Sequence, residues 1–283
     1  MIDTDGSAKS FDIQYVSREG SRPGRDLLAV EEPMEIRLGF GAEGSRQARS
    51  LSITMRTPGN DFELAAGFLF TEQIVTDPAH VGEVAFCGPP APGRETSNIV
   101  RVELGPEVEV DLGRLQRHFY TTSSCGICGK ASLDAVAAQG LRELDRERPR
   151  LSGEVIHRLP DLLRGSQPVF ERTGGLHAAA VARPDGTLVH VREDVGRHNA
   201  VDKLLGRFFL DGQTDLGDSI LVVSGRASFE LVQKALAAGL PAMVAVGAPS
   251  SLAVDLAERY GMTLIGFASA DRFNVYTGHG RMI

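Results

Sequence analysis

Apolar and polar positions alternate with period two over residues 11–16, where Phe11, Ile13 and Tyr15 fall on one side and Asp12 and Gln14 on the other. That is the pattern of a half-buried strand. Residues 27–38 and 50–55 also read as strands, whereas 1–10 and 17–25 are polar and read as loose. Thr57-Pro58-Gly59-Asn60-Asp61 is a turn with helix-start chemistry, and Leu64, Gly67, Phe68 and Ile74 then share one face. A helix over 63–74 is expected. Strands are expected again at 81–87 and 98–104, around a loop of Gly and Pro at 88–93. The charge-dense stretch 141–150 reads as a solvated connector.

The second half alternates more regularly. A helix at 160–165 and strands at 176–182 and 188–192 flank the turn Arg183-Pro184-Asp185-Gly186. A helix follows at 200–209. Residues 219–224 are continuously apolar in the middle, as in a sheet covered on both faces. Then come helix 228–238, strand 242–246, helix 249–260 and strands 263–268 and 272–276. This succession predicts a largely parallel, right-handed α/β sheet. The fold class is therefore α/β in the second half and α+β overall, with a smaller mixed domain at 1–118 and an α/β domain at 119–283.

Composition narrows the partners. Hydrophobic residues make up 42% of the 283 and charged residues 24%, both globular values. The formal net charge of −7 argues against a general nucleic-acid binder. No apolar run approaches bilayer length and the N-terminus lacks a signal-like core, so a membrane role is not expected. Three cysteines are not a disulfide framework and imply a reducing, cytoplasmic setting.

Two of those cysteines stand one helical turn apart in Ser124-Cys125-Gly126-Ile127-Cys128-Gly129-Lys130. A helix-like pattern follows at once, and Ser123 or Ser124 can cap it. Cys125 is thus placed at a helix start, where free N–H groups, the helix dipole and Lys130 favour thiolate. A mobile, Ser/Gly-flanked loop at the domain boundary is the expected setting. Structural zinc needs four ligands, and no second pair accompanies the third cysteine, Cys87, 38 residues upstream; no metal site is expected. A thioredoxin-like motif would need a strand before it, and residues 115–124 do not read as one. Cys87, ending an apolar strand, is expected to be buried and passive.

Glycine clusters mark the strand-to-helix junctions. Gly196, Arg197 and His198 precede one helix, Gly225 and Arg226 another, and Phe267, Ala268, Ser269, Ala270, Asp271 and Arg272 follow the last core strand. Ligands of open α/β sheets bind beyond the carboxyl ends of the strands, where helix N-termini offer donors. The arginines suit phosphate, and Asp194, Asp202 and Asp271 can accept from a guanine edge. All of these should converge on one sheet edge around a nucleotide-like anion. None is a Walker or Rossmann fingerprint. His198 lacks the following glutamate of a zinc deaminase. His177 reads as a satisfied core histidine.

These blocks, with residues 56–69, 124–130, 174–179, 194–203, 224–234 and 266–276, resemble the formate dehydrogenase accessory sulfurtransferase family (FdhD type), from about residue 11 to the end. The resemblance implies a cytidine-deaminase-like second domain, a homodimer, and sulfur transfer from a cysteine desulfurase to the bis-molybdopterin guanine dinucleotide cofactor. The molybdenum cofactor is cargo, received before it enters formate dehydrogenase. It also implies that Cys125 carries the persulfide and that 267–272 contact the cofactor. Cys128 then displaces the sulfur or protects Cys125 as a disulfide. Two other readings stay open: a cofactor-binding chaperone that moves no sulfur, and a dithiol oxidoreductase.

Overall fold

The computed structural model describes residues 6–91, 94–108 and 141–283. Strands β1 (Ala8–Ser17) and β2 (Gly20–Ala29) form an antiparallel hairpin closed by Arg18 and Glu19. Residues 17–25, expected to be loose, are thus mostly strand. Both faces of the hairpin meet solvent over much of its length, so pairing with β1, not an apolar face, makes β2 a strand. The expected strand over 27–38 breaks at Val30 and Glu31, and β3 (Glu32–Phe40) belongs to another sheet.

That second sheet has the order β4-β3-β6-β5, with β4 at Gln47–Arg56, β5 at Val81–Phe86 and β6 at Ile99–Leu104. Met34, Ile36, Leu38 and Phe40 alternate inward from β3. Helix α1 (Asp61–Thr71) covers them.

The third sheet runs β12-β11-β10-β9-β7-β8. Its strands are β7 (His177–Ala182), β8 (Leu188–Asp194), β9 (Ile220–Val223), β10 (Ala242–Ala245), β11 (Thr263–Gly266) and β12 (Asn274–Thr277). Only β9, β10 and β11 pair in parallel with a neighbour. Strand β7 runs against both β8 and β9, and β12 against β11. The sheet is therefore mixed, not largely parallel. The tight Arg183-to-Gly186 turn permits only an antiparallel return, because a parallel one needs a crossover.

Helices α2 (Gly153–Arg164) and α3 (Pro168–Thr173) precede this sheet; α4 (Arg197–Leu210), α5 (Phe229–Ala237) and α6 (Ser251–Tyr260) alternate with its strands. Helix α2 starts seven residues before the expected Pro160. Val155, Ile156, Leu159 and Leu163 line one face there and were a better signal than the proline. They pack on Ala178, Ala180, Ile220, Val222 and Val244. The alternate residues Ala179, Val181, Leu221, Val223 and Met243 face α4, α5 and α6. The apolar run at 219–224 is so placed because both sheet faces are covered.

One core runs from the β4-β3-β6-β5 sheet through α1 and α4 to the six-stranded sheet. The boundary expected at 118/119 lies outside the described residues. Helices α1 and α4 cross backbone to backbone at Gly67 and Gly206. A Cβ on Gly67 would lie 1.8 Å from the carbonyl oxygen of Asp202, and one on Gly206 would lie 1.8 Å from that of Glu63. Neither carbonyl can swing away without parting the helices. Gly67→Ala is expected to cost at least about 2–3 kcal/mol, the upper range for overpacking. Urea denaturation would measure it; an unchanged midpoint would mean the helices separate freely.

Candidate functional site

The carboxyl ends of β8, β9, β10 and β11 lie along one edge of the six-stranded sheet. Register fixes this: Asp194, the last residue of β8, pairs with His177, the first of β7, and Val223, the last of β9, pairs with Ala179. Three of the four, β8, β9 and β11, carry the predicted clusters. Gly196–His198 follow β8 and open α4; Gly225 and Arg226 lie between β9 and α5; Phe267–Arg272 follow β11. The clusters share the edge but do not meet at a point. From β8 to β11 is four strand steps, about 19 Å at ordinary strand spacing. An extended ligand suits such an edge better than a compact one.

The loops on this edge are held to one another. Gly247 N–H donates to Gly225 (2.9 Å), Phe267 N–H to Gly247 (3.1 Å) and Ala268 N–H to Ala245 (3.1 Å). A Cβ on Gly247 would touch the Arg226 backbone at 3.0 Å. Behind the last loop, His157 of α2 meets the Ser269 carbonyl at 3.0 Å and packs on Phe273. The Ser269 hydroxyl and the Arg272 backbone bond each other. His157 was missed in the sequence because 112 residues separate it from Ser269. Phe267 has φ 53° and its side chain is 41% exposed. A bulky residue in the left-handed region is strained, and such strain gathers at ligand sites.

Three arginines stand along this edge although the chain is acidic. Among the described residues, Arg197, Arg226 and Arg272 have no carboxylate within salt-bridge distance, and the Nε of Arg197 is buried with no partner. Arg192 and Arg207, by contrast, are paired with Glu63 and Asp211. Gly196 caps α4 without a side-chain acceptor, leaving its first N–H groups as donors. The N–H groups of Gly225 and Arg226 also have no acceptor in the described protein.

Two expected guanine acceptors are not available. Asp194 is fully buried, ion-paired with Lys203 at 2.7 Å, and accepts from Thr57 N (3.1 Å), Gly196 N (2.8 Å) and Asn199 Nδ2 (3.0 Å). Asp202 is buried against Lys234 and Thr71. Both aspartates hold the two halves together. Asp271 remains exposed on the edge. Cys87 also departs from expectation: it is half-buried, because β5 lies at the sheet margin. Cys125 and Cys128 lie outside the described residues.

His198 sits 3.3 Å from the Ser228 hydroxyl and 3.9 Å from Glu230. Burial, then Lys234 and Arg197, push its pKa down to about 4, so it is neutral at pH 7. A histidine with a depressed folded pKa gives stability that is full above its unfolded value of 6.5 and is lost as pH falls from there toward 4. The ring is 37% exposed, so the loss is on the order of 1 kcal/mol after screening. Chemical denaturation at pH 7 and 4.5 should show a larger decline in the parent than in His198→Gln. Equal declines would assign the acid sensitivity elsewhere.

A pocket of about 420 Å³ lies away from this edge, at the turn between β4 and α1. Phe62 and Phe86, rings 4.8 Å apart, and Asn98 are among its walls. Its arginines are internally neutralised: Arg56 by Asp61 and Glu32, and Arg94 by Glu32. It is not an anion site, and it was not foreseen in the sequence.

No described helix is long and apolar enough to cross a membrane. The scaffold is a mixed α/β fold with an anion-ready sheet edge. The chain belongs to the FdhD/NarQ family, whose profile matches residues 29–283. It is 52% identical over 259 residues to the Sulfur carrier protein FdhD of Streptomyces coelicolor, covering 91% of this chain and 89% of that one. It is 48% identical over 274 residues to the protein of the same name from Mycobacterium tuberculosis, covering 95% and 96%. The fold matches the crystal structure of a putative formate dehydrogenase accessory protein from Desulfotalea psychrophila, with a TM-score of 0.72, 22% identity and coverage of 98% and 99%.

Proposed function

We propose that this protein is a sulfur carrier for formate dehydrogenase. Cys125 accepts sulfur from a cysteine desulfurase and passes it to the bis-molybdopterin guanine dinucleotide cofactor, held as cargo along the carboxyl edge. In the first step the Cys125 thiolate attacks the outer sulfur of the donor's persulfide. The new S–S bond forms on Cys125 as the donor leaves as thiolate, with no net oxidation. The homologues' name, Sulfur carrier protein, supports the activity. The observation that carries the cargo reading is the row of arginines without carboxylate partners, Arg197, Arg226 and Arg272, on one edge of an acidic protein. A bis-dinucleotide is long and polyanionic, which matches an edge of about 19 Å. We take the working form to be a cytoplasmic homodimer.

The cargo half is tested with guanosine diphosphate, a fragment of the cofactor. It should bind the full chain and raise its melting temperature. Arg226→Ala should weaken binding by about 1–3 kcal/mol, the order for a lost hydrogen bond to a charged group. No heat of binding with the parent protein would remove the edge as the cargo site.

A further inference from the structure

We propose that His177 is a ligand-contacting residue of the carboxyl edge, donating a ring N–H to a phosphate oxygen of the bound anion beside Arg197. This rests on the edge being the anion site. His177 opens β7, the strand between β8 and β9 in the sheet, so it stands between the Gly196–His198 and Gly225–Arg226 clusters.

The expectation of a satisfied core histidine fails on two counts. The side chain is half-buried, and neither ring nitrogen has a hydrogen-bond partner among the described residues. With the side chain only half-buried, the ring is open to a partner from outside the protein. Gly225 makes room for it. A Cβ there would lie 3.3 Å from His177 Nδ1, tighter than most Cβ contacts, and 3.5 Å from Cε1, at ordinary contact distance. Without one, the imidazole rests against the Gly225 backbone, whose N–H has no acceptor. The ring is also within the field of Arg197 and, more weakly, of Asp194; burial and Arg197 keep it neutral at pH 7. Asp194 is already held by Lys203. A neutral imidazole, a guanidinium and two open backbone N–H groups together make a donor-rich cradle for an oxyanion.

The test is calorimetric titration of the full chain with guanosine diphosphate, inorganic pyrophosphate and guanosine. His177→Ala should weaken the diphosphate and pyrophosphate alike by roughly tenfold, the order for one lost hydrogen bond to a charged group. His177→Gln, which keeps a donor, should recover part of the loss. Gly225→Ala, which presses on the ring, should weaken binding in the same direction and gives a second route if His177→Ala folds poorly. A purely structural histidine would lower the melting temperature in all variants without this split between phosphate-bearing and phosphate-free ligands. Unchanged pyrophosphate affinity in a folded His177→Ala protein would overturn the assignment while leaving the edge intact. Failure of the parent protein to bind any phosphate would overturn the edge itself.

Discussion

Cys125→Ala is expected to take up no sulfur at all. After incubation with a cysteine desulfurase and cysteine, intact-mass analysis of the parent protein should show one added sulfur. Peptide mapping should place it on Cys125. The thiolate is the nucleophile in persulfide exchange, and alanine supplies none at position 125. Cys128→Ala should still load, because displacement and protection both come after loading. Cys87→Ala should load like the parent, since that thiol is half-buried at a sheet margin. Sulfur mapped to Cys128 or Cys87 in the parent protein would refute the assignment. Formate dehydrogenase activity that survives Cys125→Ala would favour a chaperone that moves no sulfur.

The second large effect is on stability. Lys234 of α5 joins three elements through one ammonium group. It contacts Asp202 at 2.9 Å, Glu72 at 2.8 Å and the Thr71 hydroxyl at 2.9 Å. Burial alone would strip its proton, but Asp202 and Glu72 outweigh that and hold its pKa above the usual lysine range. Lys234→Met keeps the volume and leaves Asp202 buried with no counter-charge. Removing one partner of a buried pair costs about 3–5 kcal/mol. Urea unfolding should show that loss, and Lys234→Met combined with Asp202→Asn should regain part of it. A loss below about 1 kcal/mol would mean water already reaches the site.

Much of this architecture could be read from the chain. The helices at 61–71, 197–210, 229–237 and 251–260 announce themselves by periodicity and by capping residues such as Ser250, whose hydroxyl accepts from Ala253 N–H. The apolar runs at β9, β10 and β11 can only be strands covered on both faces. Strand direction was less legible, because parallel and antiparallel partners impose the same period of two. The hairpin residues at 17–25 were misread because their order comes from a neighbour's backbone. At the site, local motifs gave the glycines and arginines. They could not reveal that Asp194 and Asp202 are consumed by Lys203 and Lys234, or that His177 is left without a partner. Those facts depend on contacts between residues far apart in sequence, and only the folded chain sets them.

The crossing of α1 and α4 bears on how the proposed cargo would leave. Helices whose backbones touch at two glycines cannot slide or tilt without steric collision, and the core continues through them into both large sheets. Domain closure needs a few residues free to absorb a change in backbone angles, with little packing between the bodies that move. The described part of this molecule has neither at that junction, so it behaves as a rigid platform and not as a pair of hinged lobes. A rigid platform cannot push its ligand out. On the proposed cargo reading, release then comes from competition, with the receiving enzyme offering contacts that outbid the sheet edge one segment at a time.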